Sequence, residues 1–156
     1  MTAIPKPEQV ADRFAIDELL DTYAHALDTK NWDLFRTLFT DDCLLDYTHE
    51  GGVRGSVDDA LAWLSSALAP FDMIQHIVAN RLVEIDGDEA RVRAYVFSPL
   101  GLPDGSGGLT FVLSGGNYED RLRRTPDGWR FTSRTARSAW FHAGLRGAAQ
   151  PPIAQR

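Results

Sequence analysis

The 156-residue chain has little of several residue types, and each scarcity excludes a class of protein. Its single cysteine, Cys43, excludes an internal disulfide framework and the CxxC motifs of metal and redox sites. Lysine and arginine number 16 against 22 aspartates and glutamates, which gives a formal net charge of -6 at pH 7. Because phosphate binding needs a clustered positive field, this excess of acid argues against nucleic acid or an anionic membrane as the partner.

Long apolar runs and the common cofactor motifs are lacking as well. No uncharged apolar stretch approaches the roughly 18 residues of a membrane span, and no leader-type segment is found, so we expect a cytoplasmic protein that does not bind membranes. The sequence contains no GxGxxG, GxxxxGK[ST] or GxSxG motif. Its four histidines do not have the spacing of a zinc site. We therefore predict neither a metal site nor a cofactor.

Aromatic residues are well represented: the chain contains eight Phe, four Trp and four Tyr, and 44% of its residues are hydrophobic. Large rigid side chains in this number can form the wall of an apolar cavity as well as a core. Small neutral or weakly polar molecules therefore remain open as ligands.

Hydrophobic periodicity predicts helices over about residues 10–27, 32–39 and 56–68, and a brief extended run at 43–47. Four long stretches follow at about 72–86, 88–101, 109–125 and 128–142, rich in β-branched and aromatic residues and separated by glycine-containing turns. Three helices before a long-stranded meander indicate an α+β fold in which a curved, mostly antiparallel sheet buries one face against the helices. Residues 1–9 are predicted to be a loose lead-in, 10–142 the domain, and 143–156 a flexible tail rich in Gly, Ala and Pro.

His76 is the histidine whose surroundings suggest chemistry. The apolar pattern around it predicts a mid-strand position, where burial disfavours a charged imidazole and a neighbouring carboxylate would restore its basicity. Asp28, at the end of the apolar face of the first helix, is a candidate for that carboxylate. Spacing alone leaves other pairings open, and it leaves open a histidine that is only part of the core, because 22 acids could partner four histidines.

A set of short motifs resembles the SnoaL-like families of the nuclear-transport-factor-2-like superfamily. They are IDELLDTYAHALD at 16–28, NWDLF at 31–35, LFTDD at 38–42, DY at 46–47, QH at 75–76, IDGD at 85–88 and DGWRF at 127–131. The similarity extends over roughly residues 10–142. It implies a cone-shaped α+β barrel, with three N-terminal helices packed on a strongly curved, mostly antiparallel sheet. It also implies a homo-oligomer, a dimer or trimer formed through that sheet.

The resemblance also implies a site. Scytalone dehydratase, the bile acid 7α-dehydratases and hexachlorocyclohexane dehydrochlorinase carry an Asp-His dyad in the pocket, and the matching residues here are Asp28 and His76. Tyr23 and Tyr47 match pocket tyrosines and Arg134 matches a pocket arginine, while Asn117 is a further candidate for binding substrate. The second pocket histidine of scytalone dehydratase falls at Ala94, and the late acidic residue of the bile acid enzymes falls near Ser98 and Pro99, so neither substrate is implied.

The function implied by the resemblance is that of a cofactor-independent lyase of the dehydratase type, or an isomerase. His76, with Asp28 behind it, would act as general base on a small, mostly apolar cyclic molecule. One alternative is an enzyme like ketosteroid isomerase or a polyketide cyclase, in which a carboxylate is the base. Another is a protein without catalysis, either a small-ligand-binding protein or the small subunit of a ring-hydroxylating oxygenase, since one fold hosts many functions.

Overall fold

The computed structural model describes residues 7–147 and contains three α-helices and seven strands in that range. The helices are α1 (Pro7–Asp28), α2 (Trp32–Arg36) and α3 (Val57–Leu68), with a short 3₁₀ helix at Thr48–Glu50. The strands are β1 (Phe39–Asp46), β2 (Arg54–Gly55), β3 (Met73–Ile74), β4 (Ile77–Asp86), β5 (Glu89–Pro103), β6 (Leu109–Thr125) and β7 (Gly128–Gly147). None of the described helices is long and apolar enough to cross a membrane.

Local sequence signals explain where the helices begin and end. Lys30, two residues after the end of α1, adopts a left-handed conformation with φ of 53°, which prevents the helix from continuing. The Asn31 side chain accepts a hydrogen bond from the Leu34 amide at 3.0 Å and caps α2. Ser56 and Asp59 form a reciprocal capping box at the start of α3. The end of α1 and the starts of α2 and α3 therefore follow from residues that can be identified in the sequence.

The strands form one curved, open sheet in the order β2-β1-β7-β6-β5-β3, with β4 also paired to β5. The described pairings are antiparallel except for that between β1 and β7, which is parallel and places Leu45 beside Arg134. The register shifts between Ala79 and Leu82 and between Gly115 and Gly116. Such bulges bend a strand and increase its twist, which helps the sheet curve around the helices.

The core lies between the helices and the concave face of the sheet. Along β5, Ala90, Val92, Ala94 and Val96 are buried and the residues between them are exposed, as expected of a strand with one face on the core. Tyr23, Phe35, Phe39 and Phe131 form an aromatic cluster at one end of this core. The α+β fold predicted from the sequence is confirmed, although the sheet is open rather than closed into a barrel.

Three predicted boundaries require correction. Helix α1 begins at Pro7, so residues 7–9 belong to the helix rather than to a lead-in. Strand β7 continues to Gly147 because β6 pairs with it as far as Leu109, so residues 143–147 are not part of a tail. Helix α2 ends at Arg36, and Phe39 already belongs to β1. The remainder of the predicted lead-in and tail, residues 1–6 and 148–156, lies outside the described residues.

Candidate active site

A cavity of about 230 Å³ lies between the helices and the concave face of the sheet. Its apolar lining comes from Leu27, Trp63, Leu64, Ala67, Leu68, Phe71, Leu100, Val112 and Phe141. Its polar lining comes from Tyr23, Tyr47, Glu50, His76, Ser98, Ser114, Tyr118 and Ser138. An apolar chamber with a few convergent polar groups is the usual form of a small-molecule site.

Asp28 and His76 meet at the edge of this cavity. Asp28 is the last residue of α1, and its Oδ1 lies 2.7 Å from His76 Nδ1. The same carboxylate accepts the His76 backbone N–H at 3.0 and 3.1 Å. Because an ionised carboxylate can only accept, Nδ1 carries the hydrogen, and Nε2 of the neutral ring is left to accept a proton. The His76 side chain is only 10% exposed, and its hydrogen bond to Asp28 fixes the tautomer.

The mid-strand position predicted for His76 is wrong in one respect. Gln75 and His76 form a break between β3 and β4. The Gln75 amide still donates to the Pro99 carbonyl, but the His76 amide turns to Asp28 instead of the sheet. A tertiary hydrogen bond therefore interrupts a segment whose local pattern is that of a continuous strand.

A pair of tyrosine hydroxyls lies deeper in the cavity. The Tyr23 and Tyr47 oxygens are 2.6 Å apart, and Tyr47 stacks on Trp63 with 5.5 Å between ring centroids. Burial raises the pKa of both phenols, so both keep their protons at neutral pH. Only one of the two hydroxyl hydrogens is needed for the bond between them, so the other can be donated to a molecule in the cavity.

Arg134 lies behind the tyrosines and does not line the cavity. It is fully buried, and its Nε and Nη2 donate to the two carboxylate oxygens of Asp120 at 2.7 Å each. Its guanidinium carbon lies 3.9 Å from the ring centre of Tyr23 and 4.1 Å from that of Tyr118. Burial raises the pKa of the Asp120 carboxyl, and the charge of Arg134 opposes that shift.

Asn117 lies on the other face of the sheet. Its neighbour Tyr118 lines the cavity, and successive residues of a strand point to opposite faces, so Asn117 points outward between Tyr95 and Arg137. The direct contact with substrate that we predicted for Asn117 and Arg134 does not fit this geometry. Arg134 can act on the site only through the rings that it stacks on.

Sequence reasoning missed five polar residues of the lining, which are Glu50, Ser98, Ser114, Tyr118 and Ser138. Ser98 and Ser114 are opposite each other on β5 and β6, and Ser138 lies next to them on β7, opposite Gly116. Ser98 could have been found, because it continues the inward alternation of β5 as its first polar member. Glu50 lies in the 3₁₀ helix between β1 and β2, where the sequence has no periodic pattern. No group of three or more His, Cys, Asp or Glu within residues 7–147 is arranged to hold a metal ion.

The sequence matches a known protein family and a mycobacterial protein. Residues 8–135 match the family described as SnoaL-like domain. The uncharacterized protein Rv2910c of Mycobacterium tuberculosis H37Rv is 36% identical over 127 residues, which cover 81% of this chain and 84% of that protein.

Solved structures that share the fold include three from the genus Novosphingobium. One, from Novosphingobium aromaticivorans and provisionally assigned as an aromatic ring hydroxylase, is 28% identical with a TM-score of 0.77 and covers 92% of this chain and 97% of that one. A provisionally assigned scytalone dehydratase of the same organism is 20% identical, with a TM-score of 0.76 and coverage of 95% and 97%. Hexachlorocyclohexane dehydrochlorinase LinA-type3 from Novosphingobium barchaimii is also 20% identical, with a TM-score of 0.77 and coverage of 92% and 97%.

Proposed function

The chain belongs to the SnoaL-like domain family, and on that premise we propose that it is a cofactor-independent lyase of the dehydratase type, or an isomerase. Its substrate is a small, mostly apolar cyclic molecule from which His76 removes a proton bound to carbon. The observation that carries the proposal is the Asp28–His76 pair at the edge of an apolar cavity. Relatives of the same fold that are named as a dehydratase and a dehydrochlorinase support an elimination.

Each polar group has a part in this reaction. His76 Nε2 takes the proton, while Asp28 holds the ring in the required tautomer and stabilises the imidazolium that forms. The Tyr23–Tyr47 pair donates a hydrogen bond to the oxygen on which negative charge develops. Arg134 stacks on the Tyr23 ring, and its positive charge makes the phenol more acidic. A more acidic hydroxyl is a stronger hydrogen-bond donor.

The size of the cavity limits the substrate. Ligand pockets commonly enclose about 300 to 1,000 Å³, and the 230 Å³ here falls below that range. A molecule of one ring or two fused rings fits this space, whereas a large steroid conjugate does not. The serines on the sheet side provide hydroxyl groups for an oxygenated edge of such a ring.

A base in an apolar cavity can be detected without the natural substrate. The probe is 5-nitro-1,2-benzisoxazole. A base removes the single acidic C–H of this planar ring as the N–O bond breaks, which yields a coloured cyanophenolate. We expect saturable turnover above the buffer rate, with a kcat/KM that falls toward acidic pH as the base takes up a proton. The measurement is the initial velocity of formation of the coloured product across pH 4 to 9.

If kcat/KM instead fell only near pH 3.9, about the ordinary pKa of aspartate, the base would be a carboxylate, as in the ketosteroid isomerase-like alternative. Turnover no faster than an equal concentration of free imidazole would contradict catalysis by this cavity and favour a binding protein.

We also propose that the chain forms a homo-oligomer through the convex face of the sheet. A row of apolar residues crosses four strands there, because Ile77, Phe97, Gly115 and Trp140 are opposite one another in register. Phe97 and Trp140 have ring centroids 5.9 Å apart, and Tyr95 next to them is 55% exposed. Exposed aromatic rings in contact with one another are characteristic of association surfaces.

Phe97→Glu is expected to convert the oligomer to monomers, because it places a charge in the middle of this row. Light scattering coupled to size-exclusion chromatography measures the mass of the wild type and the variant. Phe14→Glu is the matched control, since Phe14 is 72% exposed on α1, away from the convex face. A wild-type chain that elutes as a monomer at micromolar concentration, or a variant with an unchanged mass, would contradict the proposal.

A further inference from the structure

Glu50 is a titratable residue of the cavity that the reaction described above does not use. It ends the 3₁₀ helix that follows Tyr47, and it lines the same cavity as His76. The charged and titratable groups that act on it come from three sides: His76 between β3 and β4, Arg134 on β7, and Tyr23 and Tyr118 on α1 and β6. A second proton carrier therefore shares the chamber with the proposed base.

We propose that Glu50 is the general acid of this site and protonates the leaving group while His76 takes a proton from carbon. This inference rests on the proposed function and narrows it to a dehydratase. A departing hydroxyl needs a proton, whereas a departing halide does not, so an acid in the cavity points to a cyclic β-hydroxy carbonyl compound as the substrate class.

The step balances without any further reactant. His76 Nε2 accepts the proton on the carbon next to the carbonyl, and the electron pair of that C–H bond becomes the new C=C bond. The C–O bond to the β-hydroxyl breaks, and the leaving oxygen takes the Glu50 proton and departs as water. The Tyr23–Tyr47 pair donates to the carbonyl oxygen throughout, and solvent then returns the proton from His76 to Glu50.

The apolar surroundings favour the protonation state that this step requires. Glu50 as a whole residue is exposed, but desolvation of its carboxyl beside the cavity raises the pKa above the ordinary value, while the charges of His76 and Arg134 act in the opposite direction. The step requires Glu50 to carry its proton and His76 to be neutral when the substrate binds. Transfer of the proton to His76 would create two more charges, and a bound apolar ring that displaces water disfavours them.

Sensitivity to the leaving group tests the proposal directly. In the series from 5-nitro-1,2-benzisoxazole to the unsubstituted ring, the departing phenolate becomes more basic and gains more from an acid. We expect Glu50→Gln to lower kcat/KM for the unsubstituted ring about 10-fold or more, and to change the rate for the nitro compound far less. The variant also loses one limb of the pH–rate profile. Glu89→Gln, at the exposed first residue of β5, is the matched control and should behave as wild type.

An equal loss on both probes, or no loss on either, would overturn the assignment of Glu50 while leaving the base in place. Failure of the proposed function itself has a different signature, because wild-type and His76→Ala proteins would then turn over the nitro compound at the same rate.

A stability measurement checks the same carboxyl without any turnover. A carboxyl whose pKa is raised by folding favours the folded state when it is protonated, and this contribution is lost as pH rises through the folded-state value. We therefore expect Glu50→Gln to melt at a higher temperature than wild type at pH 8, and the difference to shrink toward pH 4. A difference that does not depend on pH would contradict the raised pKa of the Glu50 carboxyl.

Discussion

Replacing His76 with alanine is expected to lower kcat/KM for 5-nitro-1,2-benzisoxazole by about 10²- to 10⁴-fold, the range typical of a lost general base. The reason is geometric. The Asp28 carboxylate accepts from both the backbone N–H and Nδ1 of His76, so Nε2 is held as the basic nitrogen at the cavity. Water that fills the space left by the ring is a weaker base and is not held in place.

Asp28→Asn keeps the proposed base, His76, and removes the carboxylate that orients it. An asparagine side chain has one acceptor oxygen and an NH₂ group. If the oxygen keeps the bond to Nδ1, the NH₂ takes the place of Oδ2 and faces the His76 backbone N–H, where two donors oppose each other. If the NH₂ faces Nδ1, the ring takes the tautomer in which Nε2 carries the hydrogen and cannot act as a base. We expect a loss of activity approaching that of His76→Ala, with little change in KM for the probe.

His25→Ala is the matched control for both variants. His25 lies on α1 one turn before Asp28 but is exposed and does not line the cavity. Circular dichroism and thermal melting confirm that each variant is folded before the rates are compared. Full activity in His76→Ala, or an equal loss in His25→Ala, would exclude the dyad as the source of turnover.

Much of the fold could be predicted because its signals are local. The capping box of Ser56 and Asp59 and the cap at Asn31 mark two helix starts, and the turn at Asp86 and Gly87 separates two long strands. The order of three helices and then long antiparallel strands allows few arrangements other than a sheet wrapped around the helices. The open edge of the sheet and the parallel pairing of β1 with β7 could not be predicted from local signals, because they depend on contacts between strands far apart in the sequence.

Four of the predicted site residues do lie at the cavity or bind a residue that lines it. The resemblance named Asp28, His76, Tyr23 and Tyr47, and the structure brings the first two into contact and the last two into contact. Arg134 shows the limit. Alternation along β7 puts it on the inner face, but that face covers both the cavity and the core behind it, and only tertiary packing decides which of the two a residue meets.

Glu50 shows a second limit. A residue in a short irregular segment has no periodic pattern, so its direction depends on how the 3₁₀ helix is held by β1 and β2. The same reason explains the break at His76, where the Asp28 carboxylate takes an amide that the local pattern assigns to the sheet.

The second large effect concerns stability. Arg134→Met is expected to lower the free energy of unfolding by about 3 to 5 kcal/mol, because it leaves the fully buried Asp120 without its partner. It also removes the cation from between Tyr23, Tyr118 and Phe131, whose ring centres lie 3.9 to 4.4 Å from the guanidinium carbon. Urea denaturation followed by tryptophan fluorescence measures the loss. Arg91→Met, at an exposed position on β5, should stay within about 0.5 kcal/mol of wild type.

The pH dependence of that loss identifies its cause. Burial raises the pKa of Asp120, and removing Arg134 removes the charge that opposes the shift, so Asp120 in the variant remains protonated over a wider range. A raised folded-state pKa means that stability is lost as pH rises, so the deficit of Arg134→Met should grow from pH 4 to pH 8. The double variant Arg134→Met/Asp120→Leu contains no buried charge at these positions, and we expect it to recover most of the loss and to show no such growth. A double variant as unstable as the single one would instead assign the cost to lost packing around the tyrosines, and the stacked cation would then be the principal support of the Tyr23 ring.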